Sequence, residues 1–238
     1  MISIRHLTDE LLHVCLPRLC PACRRAMLHG EEAMCTECLL ALPRLTGHTG
    51  DTGIAEALSN GPAQPGFSAV WFRYNRESPF ADLVRSAKYG DRPRQARLLG
   101  RAFARELIAD HPAAIAAIDV LLPVPMHWFK QIRRGYNQSR EIAVGISDIT
   151  GIPVGDNLVA AAPHATQTHR SRQRRLSNVR GTVACREPAE LDGLDICIVD
   201  DIVTTGATLS ECVLSIGRAG ARPASVGAMA LGAPNRHC

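Results

Sequence analysis

With 238 residues, the chain is long enough for one α/β domain and a small additional module. Its hydrophobic content of 46% is ordinary for a globular protein, and no stretch approaches the roughly 18 apolar residues that a membrane span needs. The formal net charge of +4 alone indicates little about partners, and aromatic residues at 4% leave few platforms on which single-stranded nucleic acid could stack.

The N-terminal residues predict a short helix and no export signal. Residues 1–12 carry Arg5, Asp9 and Glu10 and lack the apolar core of a signal peptide. We therefore expect a cytoplasmic protein without a membrane span. The predicted helix extends to about residue 19, with Thr8 as its N-cap.

Two Cys-x-x-Cys pairs follow this helix. Cys20 and Cys23 form the first pair, and Cys35 and Cys38 form the second after eleven intervening residues. Four thiolates can hold a tetrahedral Zn²⁺, and a site closed by four cysteines indicates a structural ion rather than a catalytic one. A thioredoxin-like redox motif accounts for one pair but not for two, whereas an iron–sulfur cluster remains an alternative. Because the other cysteines are scattered, we expect a reduced, intracellular protein.

A stretch rich in Gly, Pro, Thr and Ser separates the cysteine pairs from the rest of the chain. It predicts a linker over residues 46–66. The expected organisation is therefore a zinc-binding module at residues 1–45 and a main domain at residues 67–238.

The first half of the main domain alternates strand and helix patterns, which is typical of a parallel α/β sheet. β-prone residues predict strands over residues 67–74 and 119–125. Apolar spacing predicts three helices, which begin near Ser78, near Arg94 and before Ile142, and end at Gly90, Ala109 and Gly151.

Positive charge is concentrated between residues 127 and 180, where nine Lys or Arg residues accompany three acidic ones. Arg133 and Arg134 precede a glycine turn and a helix start, so we expect a loop that cradles an anion. Residues 164–180 are polar and basic without an apolar stripe, and they predict a mobile loop that could close over a pyrophosphate-bearing substrate. A solvated surface loop is the alternative for this segment.

The chain is organised around residues 194–209. The apolar run at residues 196–199 predicts a parallel strand buried on both faces, and Asp200 and Asp201 follow it directly. The next turn, Thr204-Thr205-Gly206-Ala207-Thr208, leads into a helix predicted over residues 208–219. A strand at residues 225–231 would complete a βαβ unit.

This strand, turn and helix would make a site with two chemical halves. The turn aims backbone N–H groups and hydroxyls at a helix N-terminus, where a phosphate can be held. The two carboxylates suit a pair of sugar hydroxyls or Mg²⁺. A phosphate beside a diol or metal describes a phosphorylated ribose, and open α/β sheets bind ligands at such strand ends.

The residues Val-Asp-Asp-Ile-Val-Thr-Thr-Gly-Ala-Thr resemble the phosphoribosyl pyrophosphate (PRPP) signature of type I phosphoribosyltransferases. The order of the cysteine pairs, Lys-Tyr-Gly, Pro-Val-Pro, Arg-Gly-Tyr-Asn-Gln and this signature is similar to that of the competence protein F (ComF) family, which includes GntX-type proteins. The resemblance covers about residues 11–231. It implies a type I phosphoribosyltransferase core, a parallel sheet flanked by helices, with a small N-terminal zinc-ribbon-like module.

The resemblance also implies roles for the residues of the signature. Asp200 and Asp201 would bind the ribose hydroxyls, directly or through Mg²⁺, and residues 204–208 would cradle the 5′-phosphate. Arg133 and Arg134 match the position that binds pyrophosphate, and with the two aspartates they form the expected catalytic set. Three residues match the family's mobile-loop pattern: Gln167, Arg175 and Asn178. This match is incomplete because the family usually carries a threonine where His164 stands.

Lys88 matches the family's Lys-Tyr position and is assigned to PRPP binding, although its spacing gives it no specific role.

The implied reaction displaces pyrophosphate from C1 of PRPP with a nitrogenous acceptor that no motif identifies. Through the family, the resemblance links the chain to competence and DNA uptake, with competence-machinery proteins as partners. The alternative is a non-catalytic protein that senses PRPP or binds single-stranded DNA, which the basic region favours. A third option is a structural adaptor in which zinc braces the N-terminus.

Overall fold

The computed structural model describes residues 18–45, 54–88, 93–126, 135–161 and 181–234. Several predicted features lie outside these ranges: the helix before residue 19, the helix end at Gly90, Arg133, Arg134, and the basic segment with Gln167, Arg175 and Asn178. Within the described ranges, no helix is both long enough and apolar enough to cross a membrane.

Helices and strands alternate along the main part of the chain. The helices are α1 (Thr36–Leu40), α2 (Ile54–Ser59), α3 (Ala81–Lys88), α4 (Pro93–Asp110), α5 (Pro112–Ala116), α6 (Gln138–Thr150) and α7 (Ala207–Arg218). The strands are β1 (Gln64–Arg73), β2 (Val120–Pro123), β3 (Leu158–Ala160), β4 (Val183–Cys185), β5 (Asp195–Ile202) and β6 (Ser225–Ala233). A 3-10 turn at Pro188–Leu191 precedes β5.

Four strands form a parallel sheet in the order β1-β6-β5-β2. The predicted parallel sheet flanked by helices is therefore confirmed, and so is the βαβ unit of β5, α7 and β6. Strand β5 lies in the interior of the sheet, and its residues 196–199 are fully buried, as the apolar run predicts.

β5 is longer than the apolar run predicts and includes both aspartates. Asp200 lies opposite Ala230 and Ile202 lies opposite Gly232, because β6 also continues past its predicted end. Both aspartates therefore lie among the last residues of β5 that pair with β6, and this pairing restricts their backbone.

Helices cover both faces of the sheet. Cys197 and Val199 belong to the core that includes α4 and α6, whereas Ile196 and Ile198 belong to the core that includes α2 and α7. This division follows from the alternation of side chains along a strand. Burial raises the pKa of the Cys197 thiol, so this cysteine acts as a small apolar residue of the core.

Helices α4 and α6 cross at two glycines. A Cβ atom on Gly100 would lie 2.2 Å from the carbonyl oxygen of Ile142, and one on Gly145 would lie 2.1 Å from that of Arg97. The backbones can approach this closely only because neither position has a side chain. The crossing fixes α6 against the rest of the fold, and α6 begins at the edge of the sheet where β5 ends.

The cysteine pairs pack on the same core as the main domain. Cys20, Met34 and Leu42 lie in one apolar cluster with Trp71 and Phe103. Gln95 Nε2 on α4 donates to the carbonyl oxygen of Ala33 at 2.7 Å.

The chain that follows the cysteine pairs continues this contact along the edge of the sheet. Arg44 pairs with Phe72 of β1 in an antiparallel bridge, and its guanidinium contacts Glu106 of α4 at 2.7 and 2.8 Å. The predicted division into domains stays a prediction. Inside the predicted linker, residues 54–59 form α2 and β1 begins at Gln64.

Several elements of the described structure were not predicted, among them the β3–β4 pair and α5. Strands β3 and β4 pair antiparallel although 22 residues separate them, and α5 occupies the five residues from Pro112. The first is a long-range pairing of three-residue strands, too short to give a periodic signal. The second begins at a proline, which marks a helix start as readily as a helix stop.

The α4–α6 crossing generates a stability prediction with a matched control. Gly100→Ala should destabilise the fold by about 1–3 kcal/mol because the new methyl group must push two backbones apart. Gly217→Ala in α7 should be neutral or stabilising by up to about 1 kcal/mol, since its Cβ would first meet Pro62 at 3.4 Å and alanine favours helix. Urea unfolding of both variants measures the difference in stability. Equal midpoints would contradict the close backbone contact at Gly100.

Candidate functional site

The two adjacent carboxylates end the central strand. The backbone N–H of Asp201 donates to Oδ1 of Asp200 at 2.8 Å, and that of Ile202 donates to Oδ1 of Asp201 at 2.7 Å. Both side chains are half-buried. Each carboxylate is therefore held by the backbone of the residue that follows it, at the edge of the sheet.

The threonine-rich turn follows directly and leads into α7. The N–H of Val203 donates to the carbonyl oxygen of Gly232 at 3.0 Å, which fixes the start of the turn to β6. Gly206 is the N-cap of α7 with a φ of 75°, a left-handed conformation that glycine adopts without strain. The hydroxyl of Thr205 accepts from the N–H of Ala207 at 3.4 Å, while Thr204 and Thr208 are exposed.

Asp200 and the turn share one open depression. It encloses about 220 Å³, part of it open to solvent, and is lined by Asp200, Ile202, Val203, Thr204, Thr205, Gly206, Ala207, Thr208 and Leu209. The structure thus brings Asp200 together with every predicted residue of the turn. Asp201 is adjacent in sequence but is not part of this lining.

The N-terminus of α6 lies against the same strand end. Ser139 donates its hydroxyl to Oδ1 of Asp200 at 3.1 Å, and Ser139 is 6% exposed. Asn137 is the N-cap of α6, and its Oδ1 accepts from the N–H of Ser139 at 3.1 Å. Sequence reasoning gave neither residue a role. An asparagine before a helix was a readable cap signal, whereas 61 residues separate Ser139 from Asp200.

Tyr136 connects this region to α3. Its hydroxyl donates to the carbonyl oxygen of Ala87, the residue before Lys88. Lys88 is the last residue of α3, and only its backbone belongs to the described part of the chain. The end of α3 and the segment that follows Arg133 and Arg134 are therefore neighbours.

The described part of the chain resumes at Gly181, directly after the basic segment of residues 164–180. The N–H of Gly181 donates to Oε1 of Glu211 on α7 at 2.6 Å, and Glu211 also pairs with Arg218. Glu211 is only 2% exposed, so its charge is stabilised by these partners. This contact attaches Gly181, the residue after the basic segment, to the helix that begins at the threonine-rich turn.

The four cysteines of the two pairs form a second site. Their sulfur atoms all lie within 4.8 Å of one another, and Cys23 Sγ lies 3.6 Å from Cys35 Sγ. Sulfurs around a tetrahedral Zn²⁺ are about 3.8 Å apart, given Zn–S bonds of about 2.3 Å. The cluster can therefore hold zinc; the first pair flanks a turn, whereas Cys35 is the N-cap of α1 and Cys38 lies within it.

Hydrogen bonds and burial act in opposite directions on these thiols. Burial opposes ionisation of Cys20, but backbone hydrogen bonds from Cys35, Cys23 and Ala22 lower the pKa of its thiol to about 7. Burial raises the pKa of Cys35 and of Cys38. A metal would have to displace protons from the latter two thiols, so its binding should strengthen as pH rises.

The cluster generates a prediction about metal content. The purified chain should carry about one zinc per molecule, and Cys20→Ser should lose most of it and unfold at lower temperature because three ligands remain. Cys185→Ser, a free cysteine outside the cluster, should keep the metal. Elemental analysis with thermal unfolding measures both. Full zinc retention in Cys20→Ser would contradict the assignment of these cysteines to zinc. Iron in place of zinc would favour the alternative of an iron–sulfur cluster.

The known proteins similar to this chain include a DNA utilization protein and a competence protein. DNA utilization protein YhgH of Salmonella typhimurium is 26% identical over 219 residues, which cover 89% of this chain and 96% of that protein. Competence protein F of Haemophilus influenzae is 34% identical over 95 residues, or 39% of this chain and 42% of that protein. No protein-family model matches the chain.

Among solved structures, glutamine phosphoribosylpyrophosphate amidotransferase from B. subtilis, complexed with ADP and GMP, superposes with a TM-score of 0.40 at 21% identity. The superposition covers 62% of this chain and 30% of that protein.

The sequence similarity extends along most of the chain, and the structure gives the setting of the matched residues. YhgH matches nearly the whole length, and competence protein F matches a shorter part more closely. The parallel sheet carries the Asp-Asp-Ile-Val-Thr-Thr-Gly-Ala-Thr residues at the end of its β5 strand, and the four cysteines cluster near the N-terminus. The chain is thus similar in sequence to YhgH along most of its length and to competence protein F over a shorter part.

Proposed function

We propose that this chain binds PRPP together with Mg²⁺ and transfers its phosphoribosyl group to a nitrogenous acceptor, with release of pyrophosphate. One observation carries the proposal. Asp200 and the turn at residues 204–208 line the same open depression at the end of β5. A sugar phosphate is a ligand that needs an anion cradle and a carboxylate within one such site.

The turn supplies the phosphate half of the site. The first N–H groups of α7 have no partner within the helix, and the helix dipole favours negative charge at this end. Thr204, Thr205 and Thr208 add hydroxyl donors, and the left-handed Gly206 lets the backbone approach an anion without a side chain in the way. We assign the 5′-phosphate to this turn.

The carboxylates supply the sugar half. Asp200 and Asp201 would bind the ribose hydroxyls or hold Mg²⁺, whose preferred ligands are oxygen atoms. The ion, when bound with PRPP, would neutralise charge on the departing pyrophosphate. The chain's own contribution is to fix these oxygens at a strand end where the backbone is already hydrogen-bonded.

The reaction requires little proton chemistry from the protein. The acceptor nitrogen forms a bond to C1 of the ribose while the bond from C1 to the pyrophosphate oxygen breaks, and the electron pair leaves with pyrophosphate. The acceptor then loses its proton to solvent or to the leaving group. Positioning of the two reactants and stabilisation of the leaving charge are the main requirements.

Basic residues would stabilise that leaving charge. We propose Arg133, Arg134 and Lys88 for this role; Tyr136, two residues after Arg134, contacts Ala87, the residue before Lys88. We further propose that the mobile-loop residues cover the ligand: Gln167, Arg175 and Asn178.

The proposal predicts Mg²⁺-dependent PRPP binding. Isothermal titration calorimetry should detect binding with Mg²⁺ and much weaker binding without it. Asp200→Asn and Asp201→Asn should each weaken binding about tenfold or more, because a charged oxygen that contacts the ligand or its metal is lost. Asp119 is exposed and directly precedes β2, at the end of that strand away from the site. Asp119→Asn is therefore the matched control and should bind PRPP normally.

Turnover is tested separately from binding. The chain, PRPP, Mg²⁺ and a panel of nucleobases should release pyrophosphate with at least one acceptor. Binding of PRPP with no release across the panel would favour a PRPP sensor instead, and absence of PRPP binding would refute the proposal.

A second candidate function is binding of single-stranded DNA in natural transformation, with competence-machinery proteins as partners. The names of the relatives motivate it, and so does the surplus of six positive charges between residues 127 and 180. Contacts from Lys and Arg to phosphates supply affinity through release of counterions, without any need for aromatic side chains.

This candidate predicts a steep salt dependence. Affinity for a single-stranded oligonucleotide should fall with salt, and replacing Arg172, Arg174 and Arg175 by alanine should make the log–log slope shallower by about 2. The control replaces Arg97, Arg101 and Arg105 on α4, which already contact Asp148 or Glu32. An unchanged slope in the first variant would remove those arginines from DNA binding.

A further inference from the structure

We infer that Ser139, at the start of α6, is a positioning residue that orients the Asp200 carboxylate for the sugar or its metal. This inference rests on the proposed PRPP function and deepens it. It concerns a residue that lies outside the signature and 61 positions before the aspartate it contacts.

Two donors meet the same oxygen of Asp200. The Ser139 hydroxyl lies 3.1 Å from Oδ1, and the N–H of Asp201 lies 2.8 Å from it. A side chain with one fixed oxygen has little freedom to rotate, so the carboxylate plane keeps one orientation toward the depression that Asp200 lines. Groups that hold a ligand-binding carboxylate in this way commonly affect affinity although they never touch the ligand.

Ser139 is itself held in place by a closed circuit of hydrogen bonds. Its N–H donates to Asn137 Oδ1 at 3.1 Å, and Asn137 Nδ2 donates to the carbonyl oxygen of Val124 at 2.9 Å. The N–H of Val124 donates to the carbonyl oxygen of Val199 at 2.9 Å. Val199 is bonded to Asp200, which accepts from the Ser139 hydroxyl, so the circuit closes at Ser139.

This circuit joins three separate elements at the site. The end of β2, the N-terminus of α6 and the end of β5 are connected through side chains and backbone atoms rather than through one element alone. At the glycine crossing, the backbone of α6 packs closely against that of α4. The Ser139 hydroxyl is therefore presented to Asp200 before any ligand arrives, which lowers the cost of ordering the site.

A purely structural serine would behave differently from a positioning one. Ser139 is 6% exposed, so its removal could lower stability without any specific effect on the ligand. The distinguishing property is dependence on Asp200: a positioning serine matters for PRPP only while the carboxylate is present. It should also leave the phosphate half of the site unaffected.

The experiment uses the full chain and calorimetric titration of PRPP with Mg²⁺. Ser139→Ala should bind PRPP about tenfold more weakly, which corresponds to one hydrogen bond to a charged group. Ser139→Thr retains the hydroxyl and should restore binding to within about threefold of the unchanged chain. Ser139→Cys keeps the volume with a weak donor and should resemble the alanine variant, which guards against a folding defect of Ser139→Ala.

Two controls distinguish an effect on the orientation of Asp200 from a general loss of protein stability. Ser147→Ala, eight residues further along the same helix, should leave PRPP affinity unchanged. Inorganic phosphate, followed by the amide signals of the turn at residues 204–208, should bind Ser139→Ala and the unchanged chain equally.

A double-mutant cycle tests the route through Asp200. Ser139→Ala added to Asp200→Ala should cause no further loss of PRPP affinity, since the group it orients is absent. A second, equal loss in that background would show that the serine acts independently of Asp200 and would refute the inference.

The remaining outcomes distinguish the inference from the function on which it rests. Normal PRPP affinity in both Ser139→Ala and Ser139→Cys would refute the inference and leave the proposed function standing. If the unchanged chain does not bind PRPP with Mg²⁺, the proposed function fails and the inference fails with it.

Discussion

The parallel pairing of β5 between β2 and β6 is the constraint on which the candidate site depends. An interior strand of a parallel sheet has neighbours on both sides and helices on both faces, so its apolar residues have no exposed position to adopt. Residues 196–199 meet this requirement and are fully buried. Polar groups are therefore confined to the two ends of the strand, and at its carboxyl end Asp200 lies beside the turn that begins α7. The polar residues of the site therefore lie where the buried apolar run of β5 ends.

Several elements converge on that end because the sheet is parallel. Helices α6 and α7 both begin at this edge, one after β2 and the other after β5, and helix N-termini favour anions. Ser139 comes from the first helix and the threonine-rich turn leads into the second. The cysteine cluster lies elsewhere on the shared core, where its chain also pairs with the edge strand β1. It can brace the sheet without contacting the ligand.

The sequence predicted the elements that carry strong local signals. The buried run of β5, helix α7 and strand β6 were found because apolar periodicity and a glycine after the helix are local properties. The four cysteines were found because metal-ligand spacing is local as well. The aspartates were expected after β5 rather than within it, since the length of a ladder is set by the partner strand β6. Ser139, the β3–β4 pair and the shared core were missed because each depends on contacts between distant residues.

The central claim is that the end of β5 and the start of α7 form one site for a phosphorylated sugar. The most direct measurement is a titration of the ¹⁵N-labelled chain with PRPP and Mg²⁺, followed through the backbone amide signals. The account predicts saturable shifts that are largest at residues 200–208, with Gly206 and Ala207 among them because they lie at the N-terminus of α7, where the phosphate would bind. Saturable shifts elsewhere, with the amides of residues 204–208 unchanged, would contradict it.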